Sequence, residues 1–476
     1  MHSYAGRIDM PAEHECKSLP LHSRLFLFLS ATVLSTAVVG PIGYAICAGL
    51  AVYALKGAKE SVEALSVLGF LIILNKDLSS FDISLVRWPI LFAAALRLGW
   101  ESALQDTVNP PISKSLFLLA VVVLVLSLLV SSIPAVSVLK IVSFTMGVGS
   151  ILVGLYRTAH LREYWLSWFI TMALFIIFAS LPMYATSLGY GVRGSGTGFR
   201  GILNHPQTYG PVLSPLAALL TGLALFEGKR TWPILAGAAL AWSGIYMSES
   251  RTALLSLVLG CLVAGMVAFM KSSWRIVLWQ VLTRPVAFIV LFCVLVVGGL
   301  YWNGVAGHLT EFLLKDEGEA SVTASLEDSR GGLIKRSLAN FRAEPITGIG
   351  FGVPSEYALL RVQTGALGMP TSASTEKGFM PSAVLEEVGI VGAIFTLWFI
   401  LCLVMPVISR GSITILWTLS SCLAVNFGEM VFFSVGGTGL FLWLLMGFCY
   451  MYAISAPRVP LRMVSCRLDS ATSIAP

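Results

Sequence analysis

Long apolar segments recur along the whole chain, and they constrain its fold more than any other feature. A helix that spans a bilayer needs about 20 mostly apolar residues. Candidate segments centre on residues 25–39, 41–55, 61–75, 84–98, 115–132, 136–156, 163–182, 207–226, 231–248, 251–270, 285–303, 381–404, 411–428 and 435–455. Because the first four are short, we expect about 12–14 transmembrane helices in an all-α polytopic membrane protein.

The composition excludes several other classes of protein. The chain is 56% hydrophobic and only 12% charged, whereas a soluble domain is about a quarter charged. An ordinary cytosolic enzyme, a disordered protein and a nucleic-acid-binding protein are therefore excluded. Eight cysteines without a C-x-x-C pair favour neither a disulfide scaffold nor a zinc site, and we expect no cofactor.

The distribution of lysine and arginine predicts the orientation in the membrane. Short loops that carry these residues tend to remain in the cytoplasm. On this rule the cytoplasmic connections hold Lys56, Lys59, Arg157, Arg162, Lys229, Arg230, Lys271, Arg275, Arg284 and Arg410, with Arg458, Arg462 and Arg467 in the tail. The predicted organisation is a cytoplasmic N-terminus (1–24), a transmembrane bundle (25–303), a large periplasmic loop (304–380), C-terminal transmembrane helices (381–456) and a cytoplasmic tail (457–476).

The large loop contains a segment with helical periodicity. One face combines Leu333, Ile334, Ser337, Leu338 and Phe341, whereas Lys335, Arg336 and Arg342 lie on other faces and Pro345 ends the run. This pattern predicts a short amphipathic helix, which either roofs a site facing lipid or packs on the bundle. The glycines at 348, 350 and 352 then predict a tight turn where backbone segments approach closely.

Four arginines depart from the orientation rule because they lie on the outer side: Arg193, Arg200, Arg251 and Arg330. For Arg193, in a glycine-rich run, a solvated loop charge is the favoured interpretation. Arg251 begins an inward-running helix, where a cation is unfavourable by about 1 kcal/mol or less unless an anion lies nearby. Either Glu249 or an external phosphate could be that anion.

Two further inward-running helices begin near basic residues. Pro206 suits a first helical position with Asn204 or His205 as the cap, and Pro381 opens the third such helix. Three helix N-termini on one face would form an anion site if they converge.

The glycine spacing of the run Gly189–Gly194 matches the dinucleotide-binding motif G-x-G-x-x-G. That motif requires a preceding strand, whereas this run follows a membrane span, so the match does not predict nucleotide binding. With no Walker loop, H-E-x-x-H or Asp-x-Asp, nucleotide hydrolysis and metal-held nucleotide-sugar chemistry lack support.

The chain resembles the O-antigen ligase and O-antigen polymerase family of bacterial envelopes. Three stretches carry the resemblance: Arg200-Gly201 with His205-Pro206-Gln207 and Gly210; Ser250-Arg251-Thr252-Ala253; and Ser329-Arg330 through Gly348–Gly352 to Leu385-Glu386-Glu387-Val388-Gly389. Together they cover about residues 200–392. Their order around one large outer loop is more specific than any single stretch.

The resemblance implies a metal-independent membrane glycosyltransferase of the GT-C type in the bacterial inner membrane. Such an enzyme transfers or polymerises glycan from a polyprenyl-pyrophosphate carrier to a saccharide acceptor on the periplasmic face. Arg200, Arg251 and Arg330 then become the candidate pyrophosphate-binding residues. Expected partners are the lipid-linked donor, the acceptor, the bilayer and other polysaccharide-assembly membrane proteins, with no nucleic acid. The alternatives are a transporter or flippase of polyprenyl-linked glycan and a non-catalytic assembly partner.

One departure from the family pattern concerns its ligases. A histidine is usual eleven residues before the glycine that aligns with Gly389, but this chain has Gly378 there, with Lys377 beside it. The departure favours a polymerase or exopolysaccharide relative over a lipid A-core ligase.

A base near the acceptor hydroxyl usually assists glycosyl transfer, although a reaction in which pyrophosphate leaves does not always need a strong base. The candidates for this base are Glu387 and His205, together with Glu376 and Glu386. Glu387 matches the family's acidic position before Val-Gly and is favoured over His205 as the base. The structural alternatives are a salt bridge to an outer arginine for Glu387 and a helix cap for His205. Because adjacent positions on a helix point about 100° apart, at most one of Glu386 and Glu387 is expected to face the pocket.

Overall fold

The structure is a computed structural model that describes residues 21–79, 81, 83–104, 110–191, 198–283, 331–356, 360–364, 370–375 and 377–456. Its α-helices are α1 (Ser23–Val38), α2 (Ile42–Ala54), α3 (Ala58–Ile73), α4 (Ile83–Leu104), α5 (Pro111–Val130), α6 (Pro134–Arg157), α7 (Arg162–Ser180), α8 (Pro206–Leu225), α9 (Trp232–Met247), α10 (Arg251–Met270), α11 (Ser272–Leu282), α12 (Gly332–Ala343), α13 (Met380–Arg410), α14 (Ile413–Ala424) and α15 (Thr438–Ile454). The all-α polytopic prediction is therefore confirmed.

Each predicted span coincides with one of these helices except 285–303, which lies outside the described residues. Six segments of the described chain are long and apolar enough to cross a membrane, and five further apolar helices are shorter. The six are Pro111–Val130, Pro134–Arg157, Ala159–Ala185, Pro206–Leu225, Arg251–Met270 and Met380–Arg410. Helices α3 and α4 belong to neither group; α3 carries Lys59, Glu60 and Glu63, and α4 carries Arg87, Arg97 and Glu101.

Successive helices run back and forth through the bundle, which gives it two distinct ends. At the basic end, Lys59 lies over the ring of Tyr164, Arg162 lies over the ring of Tyr452, and Lys229 is 3.8 Å from Glu163. Both ends of the described chain are here, since His22 contacts Tyr164 and α15 ends nearby. The opposite end, called the loop end, holds the first residues of α8, α10, α13 and α15 together with α12.

The loop end also carries the described part of the predicted large loop. Helix α12 forms as predicted, and it packs on α13 with Ser337 buried in the contact. Of the two interpretations of its amphipathic face, packing on the bundle is the observed one. An antiparallel hairpin of β1 (Leu360–Thr364) and β2 (Pro370–Thr375) follows. The sequence analysis expected only helices in this loop, although Leu360–Thr364 alternates apolar and polar residues as strands do.

Helix α13 is broken near its start, and the break shapes the loop end. Gly389 has φ 61° and ψ −166°, a conformation that only glycine adopts readily. The N–H of Ile390 therefore donates to the carbonyl of Pro345 at 2.9 Å. The freed carbonyls of Glu386 and Glu387 accept from Ile349 and Gly350. The predicted glycine turn is thus present, with positive φ at residues 348, 350 and 352.

Candidate functional site

A buried ion cluster lies where the broken helix meets the large loop. Lys377 Nζ is 2.8 Å from Glu386 Oε2 and 3.3 Å from Glu387 Oε1. All three side chains are almost fully buried, with 1%, 0% and 4% of their side-chain surfaces exposed. Because buried charges are expensive unless paired, these three residues stabilise one another. Lys377, adjacent to the position of the missing family histidine, is the central cation.

Glu386 is engaged entirely within the protein. Besides Lys377, it accepts hydrogen bonds from Ser337 (2.6 Å), Asn340 (2.7 Å) and Ser355 (3.0 Å). A carboxylate has about four acceptor positions, so these four donors occupy its capacity. Glu386 therefore fastens α12 and the following loop to the start of α13.

Glu387 has a different environment. Its carboxylate accepts from the backbone N–H of Gly352 at 2.9 Å and forms part of the wall of a cavity of about 360 Å³. This central cavity is lined by Arg87, Trp88, Leu139, Lys140, Ser143, Asn204, Thr208, Phe351, Glu387, Met430, Val431, Phe433, Ser434, Val435, Gly436, Gly437 and Thr438. A carboxylate held rigidly at a polar cavity can accept a proton from a bound hydroxyl.

Two cations in the central cavity were missed by the sequence analysis. Arg87 lies near the start of α4, and Lys140 lies in the second turn of α6. Lys140 is half-buried, packs against Gly352 and interacts electrostatically with Glu387 and Lys377. Both residues fall inside predicted spans, and a charge within a span is itself an indication of function.

His205 caps α8 and lines a neighbouring cavity of about 220 Å³. Its Nδ1 accepts the backbone N–H of Gln207 at 3.0 Å. Since Nδ1 is the acceptor, the proton of a neutral imidazole ring is on Nε2. This side cavity adjoins the central cavity, because Thr208, Val431 and Thr438 line both.

Arg200 is buried within the segment that leads to α8. Its guanidinium donates to Asp77 Oδ2 (2.6 Å), to the carbonyl of Leu188 (3.1 Å) and to the carbonyl of Asn204 (3.4 Å). These contacts join the α3–α4 connection to the segment that carries Asn204 and His205. Arg200 therefore orders one wall of the central cavity.

The three helix N-termini singled out in the sequence come together at the loop end. Ser250, the cap of α10, lies against Gly210 in the second turn of α8, where a Cβ would be 2.6 Å from the serine Cβ. Thr252 of α10 packs on Gly428, and the neighbouring Phe427 contacts Phe379 at the start of α13 with ring centroids 5.7 Å apart. Arg251 is the first residue of α10 and lies within this group.

Three of the candidate residues from the sequence lie outside the described residues: Arg193, Arg330 and Glu376. Within the described part of the chain, no group of three or more His, Cys, Asp or Glu side chains could hold a metal ion.

These features define a multi-pass α-helical membrane protein with a charged cavity at one end of the bundle. Residues 236–397 match the family described as O-antigen ligase. The chain therefore carries an O-antigen ligase domain, and the resemblance is confirmed over α9, α10, the large loop and the first part of α13. The stretch at 200–210 precedes the matched segment. Comparisons with curated proteins and with solved structures found no match.

Proposed function

We propose that the protein is a glycosyltransferase that uses a polyprenyl-pyrophosphate-linked glycan on the periplasmic face of the bacterial inner membrane. One observation carries the proposal: Glu387 lines a cavity together with Arg87 and Lys140, within a bundle that carries an O-antigen ligase domain. A base and two cations suit this transfer, because a proton leaves the acceptor while negative charge develops on the pyrophosphate.

In the proposed reaction, an acceptor hydroxyl attacks the anomeric carbon of the donor glycan. The new bond joins the acceptor oxygen to that carbon, and the bond from the carbon to the phosphate oxygen breaks. The acceptor proton passes to Glu387, and polyprenyl pyrophosphate leaves. Arg87 and Lys140 stabilise the charge of the leaving group, and the ion pair with Lys377 orients the carboxylate of Glu387.

The arginines predicted from the sequence have separate parts in the proposal. Arg251 is assigned to the pyrophosphate because it begins one of the converging helices. Arg330 is assigned to it from the family resemblance. Arg200 is assigned a positioning part, in which it holds Asn204 at the cavity. The Oδ1 of Asn204 has no hydrogen-bond partner among the described residues, so a sugar hydroxyl is a suitable donor to it.

Purified protein with a labelled lipid-linked glycan and an acceptor tests the proposal. We expect the wild-type protein to form a new glycosidic bond in the presence of a metal chelator. The reason is that cationic side chains, rather than a metal ion, are proposed to stabilise the charge of the leaving group. Arg87→Ala and Lys140→Ala should each lower the rate by about a hundredfold. Lys335→Ala is the matched control, because Lys335 is an exposed cation on α12. Normal rates for both cavity variants at equal abundance would overturn their assignment.

Polymer analysis of a deletion strain distinguishes the two reactions of the family. Loss of chain length indicates a polymerase, whereas full-length polymer that stays on its lipid carrier indicates a ligase. We expect loss of chain length, because the family's histidine is replaced and Lys377 is engaged with two glutamates.

A flippase remains the competing proposal, and the break in α13 is the observation that favours it. Discontinuous helices occur in transporters, where they form substrate sites near the middle of the membrane. Here the break lies nine residues after the start of α13, at the loop end. Transfer of labelled glycan across vesicles without a new glycosidic bond would support the flippase and overturn the transferase.

A further inference from the structure

A larger cavity lies at the basic end of the bundle, opposite the central cavity. It encloses about 1200 Å³ between α5, α6, α13 and α15. Its α13 wall includes Trp398, Leu401, Met405 and Arg410, and α15 contributes Tyr450. The proposed glycosyl transfer uses none of these residues, so the cavity calls for a different occupant.

The α13 wall forms an apolar strip along the helix. With a rise of 1.5 Å per residue, Trp398 and Arg410 are separated by about 18 Å along the axis. Trp398, Leu401 and Met405 are about half exposed, at 47%, 47% and 54%. The strip is close to the thickness of one leaflet of the hydrocarbon core, which is about 15 Å. Its length and chemistry therefore suit an acyl chain.

Two arginines, Arg157 and Arg410, line the same cavity beyond the apolar strip. Arg410 is in the last turn of α13, and Arg157 is in the last turn of α6. Arg157 is held in place by Glu101 at 2.8 Å, and Arg97 of α4 also pairs with Glu101 at 2.8 Å. Arg97 and Arg157 share this one carboxylate, and Arg410 adds a further cation to the lining, so positive charge is in excess at this end of the cavity. Such basic pockets between transmembrane helices attract anionic headgroups.

We propose that this cavity binds an anionic glycerophospholipid. The headgroup phosphate lies at Arg410 and Arg157, and one acyl chain lies along Met405, Leu401 and Trp398. A zwitterionic lipid of the same chain length lacks the net charge that the arginines select. The site does not depend on the proposed glycosyl transfer, because its residues are at the other end of the bundle.

Cys402 offers a direct reporter of occupancy, because it lines the cavity and is partly buried. Cys261 is exposed on α10 outside the cavity and serves as the internal control. The full chain is purified in an uncharged detergent and treated with an uncharged maleimide, with phosphatidylglycerol or phosphatidylcholine added. Peptide mass spectrometry gives the alkylation rate of each cysteine. We expect phosphatidylglycerol to slow alkylation of Cys402 while leaving Cys261 unchanged.

The Arg410→Gln variant locates the headgroup. One arginine near a membrane contributes about 1 kcal/mol of attraction to an anionic lipid, so half-maximal protection should need about fivefold more phosphatidylglycerol. Arg275→Gln, an exposed arginine of α11 outside the cavity, should behave as wild type. Equal protection of wild-type Cys402 by both lipids would overturn the proposal without any variant. Protection by a polyprenyl phosphate but not by phosphatidylglycerol would also overturn it and identify the carrier lipid instead.

Discussion

Glu386 and Glu387 are neighbours in sequence, but their surroundings give them different chemical capacities. Glu386 meets four donors from the protein, whereas Glu387 lines the central cavity. A carboxylate whose acceptor positions are all occupied by protein donors has a structural role, whereas a carboxylate at a cavity can accept a proton from a substrate. The sequence could show only that at most one of the two faces the pocket. Which one does depends on the donors that α12 and the loop supply.

The first prediction compares the two candidate bases. Glu387→Gln should lower the transfer rate by at least about a hundredfold and remove the acidic limb of the pH–rate profile, because the amide cannot accept the proton. His205→Asn should retain most of the rate, since asparagine is also a good helix cap. The measurement is the transfer rate between about pH 3.5 and 9, because ordinary carboxylates titrate at about pH 4 and ordinary imidazoles at about pH 6.5, so the two kinds of base give acidic limbs at different pH.

The matched control for Glu387→Gln is Glu356→Gln. Glu356 is an exposed carboxylate of the same loop region and pairs with Arg336 at 2.6 Å. An acidic limb that survives in Glu387→Gln, with little loss of rate at equal abundance, would rule out Glu387 as the base. Loss of that limb in His205→Asn alone would assign the base to His205.

The second prediction concerns Arg200 and its partner Asp77. If Arg200 positions the cavity wall through Asp77, then Arg200→Ala and Asp77→Asn should lower kcat by similar factors. The double variant should be little worse than either single variant, because the two residues act as one unit. A direct contact with pyrophosphate predicts the opposite pattern, in which Arg200→Ala raises KM for the donor and Asp77→Asn has little effect.

The sequence predictions considered cations on the outer side of the membrane but not those in the interior of the spans. The exceptions to the orientation rule on the outer side included Arg200 and Arg251, which the structure brings to the loop end. The predictions passed over Arg87 and Lys140 because both lie inside predicted spans. A cation within an apolar span is expensive unless it serves a site. Attention to that rule would have identified both residues.

At the scale of elements, the break in α13 depends on one glycine. A Cβ at Gly389 would lie 2.2 Å from the carbonyl oxygen of Ile346 and 2.7 Å from the nitrogen of Gly348. Its positive φ is also unfavourable for any other residue. The third prediction is that Gly389→Ala destabilises the protein by at least about 2 kcal/mol, because strain and overpacking add. Thermal unfolding in detergent measures this, and transfer activity should fall with it.

Gly265→Ala is the control for this variant. Gly265 lies in α10, and no atom comes within 4 Å of its Cβ position. Alanine there should leave stability unchanged or raise it by up to about 1 kcal/mol, as expected for glycine in a helix interior. Equal melting temperatures for Gly389→Ala and the wild type would contradict this prediction, because they would show that α13 can continue as an unbroken helix.

Elements differ in how well the sequence predicted them, for a physical reason. The spans follow from local apolar composition, so every described span was found. The break in α13 follows from pairing between residues 345–350 and 386–391, which are distant in sequence. The β1–β2 hairpin also lies in a loop where no membrane constrains the backbone. Apolar periodicity is informative about helices in lipid and much less so about contacts between loops.

At the scale of the whole molecule, packing brings together groups whose proximity no segment reveals alone. The starts of α8, α10 and α13 meet through Gly210, Gly428 and Phe427. The sequence predicted that each start faces the same side, because helices alternate in direction. It could not predict that they converge, since that requires the lateral order of the helices. The proposed anion site at this end therefore depends on tertiary structure.

The last prediction concerns the orientation of the whole bundle. Lys59, Arg162 and Lys229 cluster at the basic end, which also carries both ends of the described chain. Cations in short loops stay in the cytoplasm, so the basic end should face the cytoplasm and the loop end the periplasm. Alkaline phosphatase, which is active only outside the cytoplasm, should be active when fused after Glu356 and inactive when fused after Ala456. Green fluorescent protein fused at the same two positions is the control, because it should fluoresce only after Ala456. The reverse result for both reporters would put the central cavity on the cytoplasmic side, where the proposed periplasmic transfer could not take place.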